Sequence, residues 1–183
     1  MDELRDSCQD SGRMMPKPFF GDILPKPYDW HKCMLEMAFT ISKMSKDPST
    51  KIGAVLVSPS KNVVSFGYNG FPKNVPDREL WWTNRNGDSK EFSKYELVAH
   101  AEENVIDNIN IADLTDFSLY ITHQPCLSCA KRIVKKGIRH VYYVYGNDKL
   151  NMDLQTNKVN KLFDICNIGL TQIDIEEIQT TKK

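Results

Sequence analysis

The run from residue 118 to 146 constrains the fold more than any other part of the chain. SLYITH reads as a strand, PCLSCAKRIVKKG as a helix closed by Gly137, and RHVYYVYG as a second strand. Strand, short helix and strand at this spacing require a sheet with helices laid against it. The flanking sequence extends the pattern. Trp30, Cys33, Met34, Met37, Ala38, Ile41 and Met44 recur at three- and four-residue steps behind Asp29. They predict an amphipathic helix ending before KDP, with Asp29 as N-cap and Cys33 buried on the apolar face. IGAVLV (52–57) and NVVSFGYN (62–69) are β-branched and separated by SPSK, which predicts a hairpin. A long polar segment follows, of the kind that is functional or holds short helices. HAEENVIDNI then reads as a helix. Val159, Leu162, Phe163 and Cys166 form one face of a further helix, with Gly169 at its end and LTQIDIEEI as a last strand. The fold class is α/β, with one mixed sheet covered on both faces.

Size and composition limit what such a fold can serve. At 183 residues the chain suits one domain. Residues 28–178 carry the pattern. Residues 1–27, with scattered charge and no periodicity, read as an irregular N-terminal extension, and 179–183 as a short tail. Lys and Arg total 24 and balance 24 Asp and Glu, so no global basic footprint calls for nucleic acid. No apolar run approaches the ~20 residues that span a bilayer, and the acidic start does not resemble a secretory signal. The expectation is a cytoplasmic protein without a membrane partner. Five cysteines in a reducing compartment disfavour a disulfide between Cys126 and Cys129.

That leaves PCLSC as a redox pair, half of a structural zinc site, or part of a catalytic metal site. A closed zinc site wants four Cys or His ligands, and no second CxxC exists. A redox pair of the thioredoxin kind normally follows the first strand, and this one follows the third. His100 in VAHAEEN is the remaining partner. One His and two Cys leave a coordination position open, as catalytic zinc requires. Two thiolates cancel the charge of the ion, so a nearby base is needed, and Glu102 stands two residues from His100. Residues two apart on a regular helix point about 200° away from each other. His100 and Glu102 can face one site only if the helix begins beside His100. HAE with PCLSC fits the H-x-E…P-C-x-x-C signature of zinc-dependent nucleobase deaminases.

With SKDPSTKIGAVLV, GYNGFP, KYELVAHAEENVI and PCLSCAKRIVKKGI, the chain from about Tyr28 to Ile175 resembles the deoxycytidylate deaminases of eukaryotes and large DNA viruses. The resemblance implies a three-layer α/β/α sandwich with a mixed five-stranded sheet. It implies zinc on His100, Cys126 and Cys129, with Glu102 shuttling protons while water attacks C4 of dCMP to give dUMP for dTMP synthesis. It further implies that Asn69 holds the sugar hydroxyl, and that the Ala101 amide and the backbone at Gln124 and Pro125 read the base edge. Lys73, Arg78, Arg85 and Lys94 are the candidate phosphate cations. Relatives are commonly homohexamers, activated by dCTP and inhibited by dTTP, often with Mg2+ at the regulatory site. Lys46, Asp47, Tyr68, Gly70 and Asp77 fall in the segments resembling that site. Some viral relatives carry a second zinc in the long insertion, but residues 71–99 contain no Cys or His, so none is expected. His123 reads as a structural strand-end histidine, and KRIVKK as an exposed helix face rather than a nucleic-acid patch. Trp81 and Trp82 suit either a lid or subunit contact or plain packing. The alternatives are a dCTP or bifunctional dCMP/dCTP deaminase, a tRNA adenosine deaminase, or a non-catalytic nucleotide-binding module.

Overall fold

The computed structural model describes residues 28–87, 90–146 and 153–174; side chains of 153–155 are not described. The expected extension 1–27 and tail 179–183 lie outside these residues. The elements run α1 (Trp30–Ser42), β1 (Gly53–Val57), β2 (Val63–Tyr68), α2 (Glu79–Thr83), α3 (Lys94–Leu97) and α4 (Ala101–Asp107). They continue with β3 (Ser118–His123), α5 (Leu127–Lys136), β4 (His140–Tyr145), α6 (Asp153–Ile165) and β5 (Gly169–Gln172).

The strands make one sheet in the order β2-β1-β3-β4-β5. β1 pairs antiparallel with β2 and with β3, whereas β3–β4 and β4–β5 are parallel. The sheet is therefore mixed and five-stranded, as expected. Alternation along the central strands divides two cores between its faces. Val55, Val57, Tyr120 and Val144 pack with Met34, Leu35 and Ala38 of α1. Ala54, Leu56, Leu119, Ile121 and Val141 pack with Val105 of α4, Ile133 of α5 and Phe163 of α6. Three layers result.

Asp29 caps α1 as the sequence predicts, its carboxylate accepting from the Lys32 amide at 3.0 Å. The buried face overlaps the predicted one only in part. Met34, Leu35, Ala38 and Ser42 face the sheet, while Cys33 is exposed and Met37 and Met44 are 37% and 54% exposed. Met34 and Ala38 belong to the predicted face, whereas Leu35 and Ser42 replace Cys33, Met37 and Met44 on the side that meets the sheet. Two corrections apply at the end of the chain. Gly169 opens β5 rather than ending α6, and the positive-φ residue after α6 is Asn167, at 52°. β5 stops at Gln172, and the remainder of the predicted strand from 175 onward lies outside the described residues.

The short helix α4 is fastened to the edge strand β2. Asn104 and Asn108 donate to the carbonyls of Tyr68 and Phe66, and the Ser65 hydroxyl donates to the Val105 carbonyl. The approach is close enough to require glycine in the strand. A Cβ on Gly67 would meet the Ala101 oxygen and the Val105 nitrogen at 2.6 Å. At the far end, α5 closes on Gly137 with φ of 83°, the left-handed conformation predicted for that residue.

Candidate metal centre and active site

β3 ends at His123, and the chain passes through Gln124 and Pro125 into α5, whose N-cap is Cys126. α4 begins at Ala101, leaving His100 extended with φ −77° and ψ 158°. Glu102 is the second residue of the helix. The 200° separation that a regular helix would impose on His100 and Glu102 is thereby removed. The His100 amide donates to the Glu103 carboxylate at 2.8 Å, which fixes the entry of the chain into α4. An isolated antiparallel bridge joins Gly70 to Ala99, with amide–carbonyl bonds of 3.1 and 2.9 Å. It seats the residue before His100 against the end of β2.

These elements bring His100, Cys126 and Cys129 together, with one ligand atom of each within 4.8 Å of the others. His100 Nδ1 stands 3.5 Å from Cys126 Sγ and 3.4 Å from Cys129 Sγ. A tetrahedral zinc ion with bonds of about 2.0 Å to nitrogen and 2.3 Å to sulfur holds its N and S ligands about 3.5 Å apart. The trio fits the ion. Among the described residues it is the only such group.

The electrostatics agree. Cys126 is held down at about 3 by hydrogen bonds from Cys129 and His100, with Ser128 adding to them, against the opposing effect of burial. Cys129 is pushed up, first by Cys126 beside it and then by burial. The Cys126 sulfur in turn raises His100 to about 9. The same pull that retains a proton on the imidazole is available to a cation placed among the sulfurs. Glu102 is 3% exposed, and burial pushes its carboxyl up to about 7, opposed in part by its own backbone amide and His100. A carboxyl tuned to neutrality can both take and return a proton.

A family model described as the cytidine and deoxycytidylate deaminase zinc-binding region matches residues 28–145, a span that includes all four of these residues. The chain belongs to this deaminase family. It is 36% identical to mouse deoxycytidylate deaminase over 140 residues, covering 76% of this chain and 77% of that one. Human deoxycytidylate deaminase is 34% identical over the same shares of the two chains. The fold is shared with the dCMP deaminase of cyanophage S-TIM5, solved with dCMP and dUMP: TM-score 0.61, 21% identity, 81% of this chain and 99% of that one.

The other predicted residues of this deaminase fall into three groups. Ala101 and Gln124 are buried beside the metal trio. The Gln124 amide donates to the Tyr145 carbonyl, and its side chain donates to Asn160 of α6 at 2.9 Å, a contact with no sequence signal. Pro125 is buried as well. Asn69 is 5% exposed and heavily engaged. Its Nδ2 donates to Asp47 and to the Thr50 carbonyl, and its Oδ1 accepts from the Ile52 amide at 2.8 Å. Asp47 is the hub of this cluster. It takes the Lys94 ammonium at 2.6 Å and accepts from Ser49 and Thr50. Lys94 also donates to the Ser49 hydroxyl, so this cation is committed inside the protein. Lys73, Arg78 and Arg85 are exposed, with Arg78 lying 4.8 Å over the Trp81 ring.

The third group surrounds the insertion. Lys46 and Asp77 meet in an exposed ion pair at 2.6 Å, beside a cavity of about 240 Å3 that Pro48 and Trp82 also line. Trp82 is buried, stacked on Phe71 with ring centres 3.9 Å apart, and its indole donates to Asp77. Tyr68 offers its carbonyl to Asn104, and Gly70 makes the bridge to Ala99. His123 is half-buried against Tyr145, and burial lowers its pKa. A larger cavity, about 550 Å3, opens where β3 begins, floored by Tyr120 and Tyr142. It includes none of the predicted site residues.

Proposed function

We propose that this chain catalyses the hydrolytic deamination of dCMP to dUMP, supplying dTMP synthesis in the cytoplasm. The observation that carries this reading is the convergence of His100, Cys126 and Cys129 on one tetrahedral corner set, with the buried Glu102 carboxyl beside them. Similarity to deoxycytidylate deaminases along most of the chain supports the choice of substrate.

Zinc bound at the trio supplies Lewis acidity, which makes a water nucleophilic near neutral pH. Glu102 takes the proton of the attacking water and passes it to N3 of the base. As the C4–O bond forms and the C4–N bond breaks, it assists departure of the amine as ammonia. Water and the C4 amine become the C4 carbonyl and ammonia, so the atoms balance. The Ala101 amide and the backbone at Gln124 and Pro125 lie at the two chain entries and suit the base edge. Asn69 offers a sugar hydroxyl the remaining lone pair of Oδ1, because both Nδ2 hydrogens are engaged. Lys73, Arg78 and Arg85 are the cations left for the phosphate.

The same reading carries a homohexamer, dCTP activation and dTTP inhibition, with Mg2+ accompanying the regulatory nucleotide. Its support is the resemblance, together with the meeting of Lys46 and Asp77 beside Trp82.

The deciding experiment assays zinc-loaded protein against dCMP, CMP, dCTP, deoxycytidine and an adenosine-containing tRNA stem-loop, with and without dCTP as effector. Turnover greatest on dCMP is expected. Preferred turnover of dCTP establishes the triphosphate or bifunctional alternative, and turnover of the stem-loop alone the tRNA alternative. No turnover of any cytosine nucleotide overturns the proposal. Glu102→Gln is expected to retain zinc and lose roughly 10²–10⁴-fold in kcat.

A further inference from the structure

Ser128 has no part in the chemistry derived above, yet its hydroxyl lies 2.9 Å from Cys126 Sγ. Its position makes that contact hard to attribute to packing. Ser128 is the second residue of α5 and is exposed, so its side chain adds little to the core. The two thiols also differ in surroundings. Cys129 is 1% exposed and lies against Glu102, whereas Cys126 is half-buried and in contact with the exposed Ser128.

We propose that Ser128 is a positioning residue for the metal, acting through the sulfur of Cys126. A metal-bound thiolate has no proton, so in this pair the hydroxyl donates and the sulfur accepts. The hydrogen bond fixes the direction of the sulfur lone pairs and draws charge away from them. Two thiolates neutralise the charge of a zinc ion and blunt its action on water. Withdrawing charge from one sulfur restores part of that action without changing the ligand set. The inference rests on the zinc reading of the trio, and goes beyond it by naming which ligand is tuned, and by what.

Cobalt(II) in place of zinc reports the sulfur directly, through its thiolate-to-metal charge-transfer absorption. The comparison is between the wild type, Ser128→Ala and Ser128→Thr, each loaded with cobalt. Removing the hydrogen bond raises the sulfur lone-pair energy, so Ser128→Ala is expected to shift the band to longer wavelength. Ser128→Thr keeps a hydroxyl at the same place and is expected to retain the wild-type position. Zinc-loaded Ser128→Ala is expected to lose about ten-fold in kcat with KM unchanged. A band at one wavelength in all three proteins overturns the role of Ser128 and leaves the metal site standing. No charge-transfer band in the wild type overturns the metal reading and this proposal together. A helix-capping role alone would lower the unfolding midpoint of Ser128→Ala equally with and without metal, leave the band in place, and likewise overturn the proposal.

Discussion

Asp47 is the residue on which the non-catalytic half of the site depends. Its buried carboxylate takes an ammonium, an amide side chain, two backbone amides and a hydroxyl. Burial by itself would raise the Asp47 carboxyl. The bonds from Lys94, Ser49 and Thr50 outweigh it and hold the group below the usual carboxylate range. A carboxyl depressed in the folded state stabilises the fold above its unfolded pKa of about 3.9 and loses that contribution as pH falls through the folded value. The stability gap between wild type and Asp47→Asn is therefore expected to narrow below about pH 4, as denaturant unfolding at stepped pH would show. Lys94→Met strands the carboxylate in the interior and is expected to cost about 3–5 kcal/mol at pH 7. A loss under 1 kcal/mol would mean that water reaches the pair. Neither partner declares its burial in the sequence. Lys94 stands in a polar loop and reads as one surface cation among four; its match to Asp47, 47 residues earlier, is a property of the fold.

At the scale of elements, the chemistry depends on how α4 and α5 meet. Each delivers its ligands at its first turn, and Arg132 of α5 reaches across to α4, pairing with Asp107 at 2.7 Å. That bond is partly exposed and worth at most about 1 kcal/mol. The firmer constraint is α4 on β2, where Gly67 allows contact with the helix backbone. Gly67→Ala is expected to push α4 outward, lower stability by about 1–3 kcal/mol and weaken zinc binding. Unfolding and metal-competition titrations would show both, and an unchanged zinc affinity would mean that the helix absorbs the methyl without moving His100. This level was well legible in the sequence. The β-branched strands, the Gly137 stop and the need for HAE to open a helix all follow from local rules. The buried face of α1 was only partly legible. Met34 and Ala38 lie on the expected face, but Cys33, Met37 and Met44 are as apolar as Leu35, and only the position of the sheet decides which of them is covered.

For the whole molecule, zinc bound at the trio would cross-link segments 26 and 29 residues apart. Any ligand held only by the folded state stabilises it by mass action. Chelation is expected to lower the unfolding midpoint and to open Cys126 and Cys129 to a thiol reagent, with zinc restoring protection of both. Equal labelling with and without zinc would place the metal elsewhere. The sequence pointed to His100, Cys126 and Cys129, which the fold brings together, because the spacing of such residues is fixed by chemistry. It did not reach the cluster around Asp47, whose members are ordinary polar residues until the fold gathers them. The bridge between Gly70 and Ala99 also bears on the insertion. It pinches off residues 71–98 at their base, so the strain of a longer or shorter excursion is spent before it reaches His100. Lengthening such a closed loop costs only about 0.6 kcal/mol per doubling. A change of length between Gly70 and Lys94 is thus expected to leave the seat of His100 in place, whereas Lys94 itself stays tied to Asp47, which lies outside the pinch.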